Sequence, residues 1–245
     1  MAEMHGSGHD GGHAAPGGLA STAEGLTLEI TWVPSGDEQG LSGTLEFRIL
    51  GPDGRAVRDF DEQHDRAMHL MVVRRDLIHY RHLHPSMDAD GTWSVPLVFP
   101  EPGIYRVFAD FSAAGTSLTL GADLEMPGPY EPAPLPAPVD AVRTDGYEVA
   151  LEAHVLDLGD ASLVFGVSYD GRPVEDLEPY LGALGHLVAL REGDLAFLHV
   201  HPESGGGAGP QIAFRAMFPS EGRYRLFLQF AHQGRVHTAA FTVEV

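Results

Sequence analysis

The chain of 245 residues has 15 basic and 35 acidic side chains, 14 His and no Cys, and its formal net charge is −20 with neutral histidines. All the basic residues are Arg; a strongly acidic chain without Lys is a poor partner for nucleic acid or anionic membranes and has no lysine for a Schiff base or a P-loop. The absence of Cys excludes disulfides, thiolate metal sites, iron–sulfur clusters and cysteine nucleophiles.

The first 24 residues are rich in Gly, His, Ala and Ser, which predicts a disordered tail over 1–24. Its His5, His9 and His13 are typical either of a flexible metal-capturing tract or of a plain linker, and both interpretations stay open. The tail has neither the basic nor the apolar region of a signal peptide. We therefore expect the signal segment to lie outside this sequence.

Two stretches of about 100 residues follow, each with short alternating strands and frequent turns. Prolines over 126–143 predict a stiff, extended linker between them. Tyr105 and Tyr224, each just after a Gly, resemble the tyrosine corner of Greek-key sandwiches. The predicted fold class is all-β, with two tandem Ig-like antiparallel β-sandwich domains over 25–125 and 144–245. No run of about 18 apolar residues occurs, so no membrane span is predicted.

An internal repeat relates the two halves. Residues 54–85 align without a gap on 171–202, and ten of the 32 positions are identical. A second block, from Phe99-Pro100 onwards, matches Phe218-Pro219 onwards. Because most of the shared positions are apolar, Gly or Pro, the repeat predicts an internal duplication of one fold.

Three histidines recur in each copy, although a shared fold does not require histidine. The triplets are His69, His82 and His84 in the first half and His186, His199 and His201 in the second. If 69 faces 84 and 71 faces 82 in a hairpin, all members of the first triplet share one face of the sheet. A register shift of one residue would turn His69 to the opposite face of the sheet and break the cluster. The prediction therefore depends on the register of this one hairpin.

Converging imidazoles predict a metal site, because neutral imidazole binds Zn, Cu, Ni and Fe. Copper, as Cu(II) or Cu(I), is favoured by its place in the divalent affinity order and by the thioether of Met71; zinc is the second choice. The second half has Val188 where Met71 stands. Further candidates are His79 and His64 near the first site and, on the last hairpin, His232 and His237. A duplicated structural hairpin or a pH-sensitive interface is the non-metal interpretation.

The motif from His82-Leu-His84-Pro85 to Phe99-Pro-x-x-Gly-x-Tyr-x-Val-Phe resembles bacterial secreted or lipid-anchored proteins. These are loosely similar to the YtkA and CopC kind of β-sandwich and are associated with heavy-metal or copper handling. The resemblance implies an extracytoplasmic protein, secreted or lipid-anchored at the cell surface. The His triplets themselves come from the internal repeat.

These observations predict a protein that binds, buffers or delivers copper through a three-His site in each domain, without enzymatic turnover. Its expected partners are the metal ion and either a membrane metal transporter or another metal-binding protein. Two alternatives stay open. One is a metal-dependent enzyme with an open three-His site. The other is a non-metal Ig-like interaction or accessory module.

Overall fold

The computed structural model describes residues 17–36, 40–155, 159–198, 200–203 and 207–245. Within these ranges all regular secondary structure elements are β-strands, and all strand pairs are antiparallel. The predicted fold class is confirmed: the chain is all-β and forms two tandem Ig-like sandwiches related by duplication. The described part of the chain has no helix with the length and apolar character needed to cross a membrane.

The first half builds a five-stranded sheet opposite a four-stranded sheet. Its strands are β1 (Thr22–Ala23), β2 (Leu26–Pro34), β3 (Ser42–Leu50), β4 (His69–Arg74), β5 (Arg81–Leu83), β6 (Ser86–Met87), β7 (Trp93–Val98), β8 (Gly103–Ala113) and β9 (Thr116–Met126). The outer sheet has the order β1-β2-β3-β7-β6, and the inner sheet has the order β5-β4-β8-β9.

The second half repeats this plan with a longer outer sheet. Its strands are β10 (Ala141–Thr144), β11 (Tyr147–Val155), β12 (Gly159–Tyr169), β13 (Arg172–Pro173), β14 (Gly185–Arg191), β15 (Phe197–Leu198), β16 (Val200–Pro202), β17 (Gln211–Phe218), β18 (Arg223–His232) and β19 (Arg235–Glu244). The outer sheet runs β10-β11-β12-β17-β16 with β13 beside β12, and the inner sheet runs β15-β14-β18-β19.

Each half has a core of its own between its two sheets. The alternation of strand residues places one face of every long strand in that core. The predicted tyrosine corners are present in both halves. The Tyr105 hydroxyl donates to the Glu101 carbonyl at 2.9 Å, and the Tyr224 hydroxyl donates to the Ser220 carbonyl at 2.8 Å.

The two inner sheets pack against each other through a third apolar cluster. Its members come from both halves: Met71, Val73, Leu77, Phe108, Val188, Leu190, Leu195, Phe197 and Phe227. Tyr80 stacks on Phe227 with ring centroids 4.1 Å apart. Because both faces of the inner sheets are covered, every residue of β4 is buried and its sequence shows no polar alternation.

The Pro-rich segment after β9 lies along the first half instead of holding the halves apart. The Ala133 amide donates to Asp76 at 2.9 Å, and Leu135 packs on the cluster between the sheets. Asp76 itself is buried against Arg74 at 2.9 Å. At the other end of the chain Gly17 pairs with Phe197 of the second half, while the Gly18 amide donates to the Thr119 carbonyl of the first half. These two segments join the halves at their edges.

Candidate metal centre

The hairpin of β4 and β5 has the predicted register. Met71 is the partner of His82, and Leu70 is the partner of Leu83, so the same register sets His69 opposite His84. The parity expected from the sequence is confirmed. His69, His82 and His84 each offer a ring nitrogen within 4.8 Å of the others.

The second triplet does not assemble in the same way. The register of β14 and β15 is equivalent, with Ala189 opposite Leu198, but the chain leaves this inner sheet immediately afterwards. β16 pairs with β17 in the outer sheet, where exposed His201 is the partner of Arg215. In the first half the chain leaves the inner sheet after Leu83, which is two repeat positions later than Leu198 in the second half. His199 lies outside the described residues.

His186, the remaining member of the second triplet, lies against the first one. Its ring centroid is 4.6 Å from that of His82 and 5.8 Å from that of His69, and it stacks on the His69 ring with an interplanar angle of 10°. The packing of the inner sheets brings β14 and β4 close enough for this contact. Exposed His64, in the turn before β4, has its ring 6.1 Å from both His69 and His186.

The other candidates predicted from the sequence lie elsewhere. Met71 and Val188 belong to the apolar cluster between the inner sheets. His79 has its Nε2 3.3 Å from the Glu101 carboxylate, next to Arg74, and is not part of the three-His group.

His232 and His237 do not approach the three-His group either, because they face the core of the second half. His232 donates through Nε2 to Asp176 at 3.0 Å and accepts at Nδ1 from the Tyr147 hydroxyl at 2.7 Å. His237 Nδ1 donates to Asp145 at 2.9 Å. Even-numbered β18 residues face the core, whereas Gln229 faces the first half; this alternation separates the two groups of histidines.

Hydrogen bonds determine which nitrogens carry protons at the centre. His69 Nε2 lies 2.9 Å from the Gln63 carbonyl oxygen, which can only accept, so Nε2 carries the proton and Nδ1 has a lone pair. His82 Nδ1 lies 2.7 Å from Gln229 Oε1, while Gln229 Nε2 donates to Thr238 at 3.4 Å. The proton of His82 is therefore assigned to Nδ1, which leaves a lone pair on Nε2.

His69 Nδ1 and His82 Nε2 lie 3.0 Å apart, a distance that suits either a hydrogen bond between the two rings or a shared ion. With the Gln229 amide oriented as above, both atoms are acceptors and repel each other unless a cation lies between them; with the amide turned, His82 Nε2 donates to His69 Nδ1. His84 Nε2 and His186 Nδ1 are also buried and have no hydrogen-bond partner in the described part of the chain. Three ring nitrogens, on His69, His82 and His84, thus lie within 4.8 Å of one another, and the buried Nδ1 of His186 lies next to this group but outside that distance.

Burial disfavours a proton as that cation. Desolvation lowers the pKa of His69, and desolvation together with the neighbouring His186 and His69 lowers the pKa of His82 well below its usual range. The pKa of His84 falls to about 4 and that of His186 to about 3, in both cases through burial first and the neighbouring His69 second. At neutral pH the four rings are uncharged, which is the form that binds metal.

A cleft of 590 Å³ connects the centre with solvent. His82, His84, Asp65 and Arg66 line it on one side, and the other side belongs to the second half, with Tyr180, Gln229 and Thr238 among its residues. The Arg66 guanidinium contributes to the lowered pKa values of His69 and His84. His82 and His84 are therefore reachable through the cleft, whereas His69 and His186 do not line it.

Comparison with protein families follows the same division of the chain. One family model, Domain of unknown function (DUF8832), matches residues 21–128 and 141–245. The chain belongs to the DUF8832 family. The two matched segments coincide with the two sandwiches, as expected for a duplication. No curated protein matches the DUF8832 chain.

Solved structures similar to this DUF8832 chain include other tandem β-sandwiches. A two-domain fibronectin type III segment from chicken tenascin has 12% identity and a TM-score of 0.26, covering 89% of this chain and 97% of that one. Domains 4 and 5 of the S-layer protein SbsC have 11% identity and a TM-score of 0.25, covering 90% and 96%. The titin Ig tandem A164-A165 has 12% identity and a TM-score of 0.20, covering 89% and 95%. This likeness concerns the sandwich fold alone.

Two contributors to the centre were missed by sequence reasoning. Gln229 is a lone amide in the apolar run Leu226-Phe-Leu-Gln-Phe230, and it is 6% exposed. A buried amide in such a strand needs a partner, and this is a signal that the sequence contains. Gln63 contributes only its backbone carbonyl, which no side-chain pattern reports.

Proposed function

We propose that this DUF8832 protein binds a metal ion at His69, His82 and His84, and that it buffers or delivers that metal without catalytic turnover. The observation that carries the proposal is the convergence of one ring nitrogen from each of these histidines within 4.8 Å, together with the buried His84 Nε2, which has no hydrogen-bond partner among the described residues. A buried group of uncharged acceptors is a poor structural element, because it leaves polar atoms without donors. A metal ion satisfies all of them at once.

The spacing between the His69 and His82 nitrogens suits a shared ion. Two nitrogens bound at about 2.0–2.1 Å from one metal lie about 2.9 Å apart at a right angle and about 3.3 Å apart at the tetrahedral angle. The distance of 3.0 Å between His69 Nδ1 and His82 Nε2 falls within this interval. The hydrogen bonds to Gln63 and Gln229 hold both rings in place, as outer partners of metal-binding histidines generally do.

Nitrogen donors without thiolate favour copper, with zinc as the second choice. Cu(II) has the highest affinity of the first-row divalent ions for nitrogen sites. The chain has no Cys to select a softer ion, and Met71, the thioether candidate, packs in the apolar cluster between the sheets. We therefore place Cu(II) ahead of Cu(I) at this centre.

An extracytoplasmic location, secreted or lipid-anchored, belongs to the same proposal. All-imidazole ligands tolerate an oxidising compartment, where thiolates do not persist. The net charge of −20 raises the local concentration of cations and speeds their association. The partner in delivery is proposed to be a membrane metal transporter or another metal-binding protein.

The cleft supports a second candidate function. A metal held by three imidazoles and reached through a cleft with a volume of 590 Å³ could activate water or oxygen for an enzymatic reaction. Turnover of a chromogenic ester by the zinc-loaded protein, or oxidase activity of the copper-loaded protein, would favour this candidate over buffering. Wild-type protein and the His84→Ala variant should be compared in the same assay.

Metal binding is tested on protein stripped with a chelator. Copper and zinc are titrated against a competing chromophoric chelator for the wild type, the double variant His82→Ala/His84→Ala and the control His201→Ala. His201 is the repeat equivalent of His84 but is exposed in the outer sheet. We expect high affinity in the wild type and the control and its loss in the double variant. Wild-type protein that binds neither metal, or a double variant that binds as well as the wild type, would refute the proposal.

A further inference from the structure

The centre lies where the two inner sheets meet, and the second half contributes side chains to it. Gln229 on β18 accepts the proton of His82 Nδ1 at 2.7 Å. His186 on β14 places its ring 4.6 Å from the His82 ring. The three-His group is therefore enclosed by the second half and is not a property of the first half alone.

His186 has the features of a ligand more than those of a packing residue. Its Nδ1 is buried and has no hydrogen-bond partner among the described residues, although a buried ring nitrogen is normally paired. Its ring lies parallel to that of His69, 5.8 Å away. Its nitrogens lie outside the 4.8 Å that encloses the three-His group, so binding to the same ion requires a shift of the His186 side chain. Ring nitrogens that receive no hydrogen bond stabilise the folded protein little. The convergence of these imidazoles therefore needs an explanation other than packing.

The neighbours do not supply one. β14 is otherwise apolar on this face, where Val188 and Leu190 pack into the cluster between the sheets. An apolar residue at 186 would continue that cluster without an orphaned nitrogen. Among the described residues, His64 also has its ring near that of His186, at 6.1 Å, and it is exposed.

We infer that His186 is a fourth ligand, so that one metal ion is bound jointly by both halves of the chain and fastens the two sandwiches together. The inference rests on the proposed function and extends it from the β4–β5 hairpin to the contact between the inner sheets. Four imidazoles complete the coordination of tetrahedral zinc or tetragonal Cu(II). The metal ion would then stabilise the contact between the two halves as well as being the ion that the protein buffers or delivers.

The test compares His186→Gln with the wild type and with His201→Ala in the full chain. Dissociation constants for Cu²⁺ and Zn²⁺ are measured by chelator competition, and electron paramagnetic resonance counts the nitrogens coupled to Cu(II). Loss of an outer-shell partner alone costs 10–100-fold in metal affinity, so loss of a ligand should cost at least about 100-fold. We expect this loss, with four coupled nitrogens in the wild type and the control and three in His186→Gln.

Other outcomes separate this inference from the proposed function. Wild-type affinity in His186→Gln would overturn the inference, provided that His84→Ala still loses binding. A weaker affinity with an unchanged copper spectrum would also overturn it, because His186 would then only position the other rings. A His186→Leu variant repeats the measurement with a side chain that continues the apolar cluster, and circular dichroism of both apo variants establishes that they are folded. Wild-type protein that binds no metal would refute the proposed function itself.

Discussion

Acid should destabilise the metal-free protein through its buried histidines, and His186 allows the effect to be calculated. Burial lowers the pKa of His186 from 6.5 to about 3 in the folded protein. A group whose folded pKa is lowered binds its proton more readily in the unfolded chain, so its stabilising contribution is complete above pH 6.5 and is lost as the pH falls towards 3. Between pH 6.5 and pH 4.5 this single group should lower the free energy of unfolding by about 2 kcal/mol.

The experiment uses the His186→Leu variant as its reference, because carboxylates elsewhere titrate equally in both proteins. Urea unfolding of chelator-treated protein is followed at both pH values by far-UV circular dichroism and by the fluorescence of Trp32 and Trp93. We expect the wild type to lose about 2 kcal/mol more than the variant. Parallel losses in the two proteins would refute the reasoning.

Three further predictions concern the ligand shell, the contact between the halves and the metal. Gln229→Leu should lower metal affinity 10–100-fold, because His82 Nδ1 loses its acceptor; unchanged affinity in chelator competition would contradict this. Phe227→Ala should lower the free energy of unfolding by about 3–5 kcal/mol, since Phe227 is 3% exposed and stacked on Tyr80, whereas Val236→Ala, at an exposed site, should change it by less than about 0.5 kcal/mol in the same urea series. Free metal at about 100 times its dissociation constant should add about 2.7 kcal/mol to the stability of the wild type, measured by thermal unfolding, and no increase would contradict binding to the folded state.

The sequence was sufficient for the features that depend on alternation and on the repeat. Strand residues alternate with a period of two, so a single choice of parity decided that His69 and His84 face each other. The equivalent hairpin of the second half follows the same register as far as Leu198. The tyrosine corners of Tyr105 and Tyr224 also follow from a local pattern, because each hydrogen bond joins residues four positions apart.

Contacts between the halves could not be read in the same way. The prediction placed one metal site in each half, because alternation says which face a residue shares but not what covers that face. Met71 was a predicted ligand and Val188 is its equivalent in the repeat, and both pack in the apolar cluster where the inner sheets meet. The place where β15 ends and β16 begins depends on pairing with β17, which lies in a different sheet. Such long-range competition leaves no period in the sequence.

Because the chain of the second half leaves the inner sheet after Leu198, the two copies of the repeat contribute different residues to the centre. Among the described residues of the second half, His201 lies exposed in the outer sheet, whereas Gln229 hydrogen-bonds His82 and the His186 ring lies against the first triplet. In related DUF8832 chains we expect substitutions at the position of His201 but coupled loss or retention of His69, His82 and His186. The first copy would then supply three ligands, and the second copy would supply His186 and the Gln229 hydrogen bond. Neither half alone would bind the metal with the affinity of the full chain.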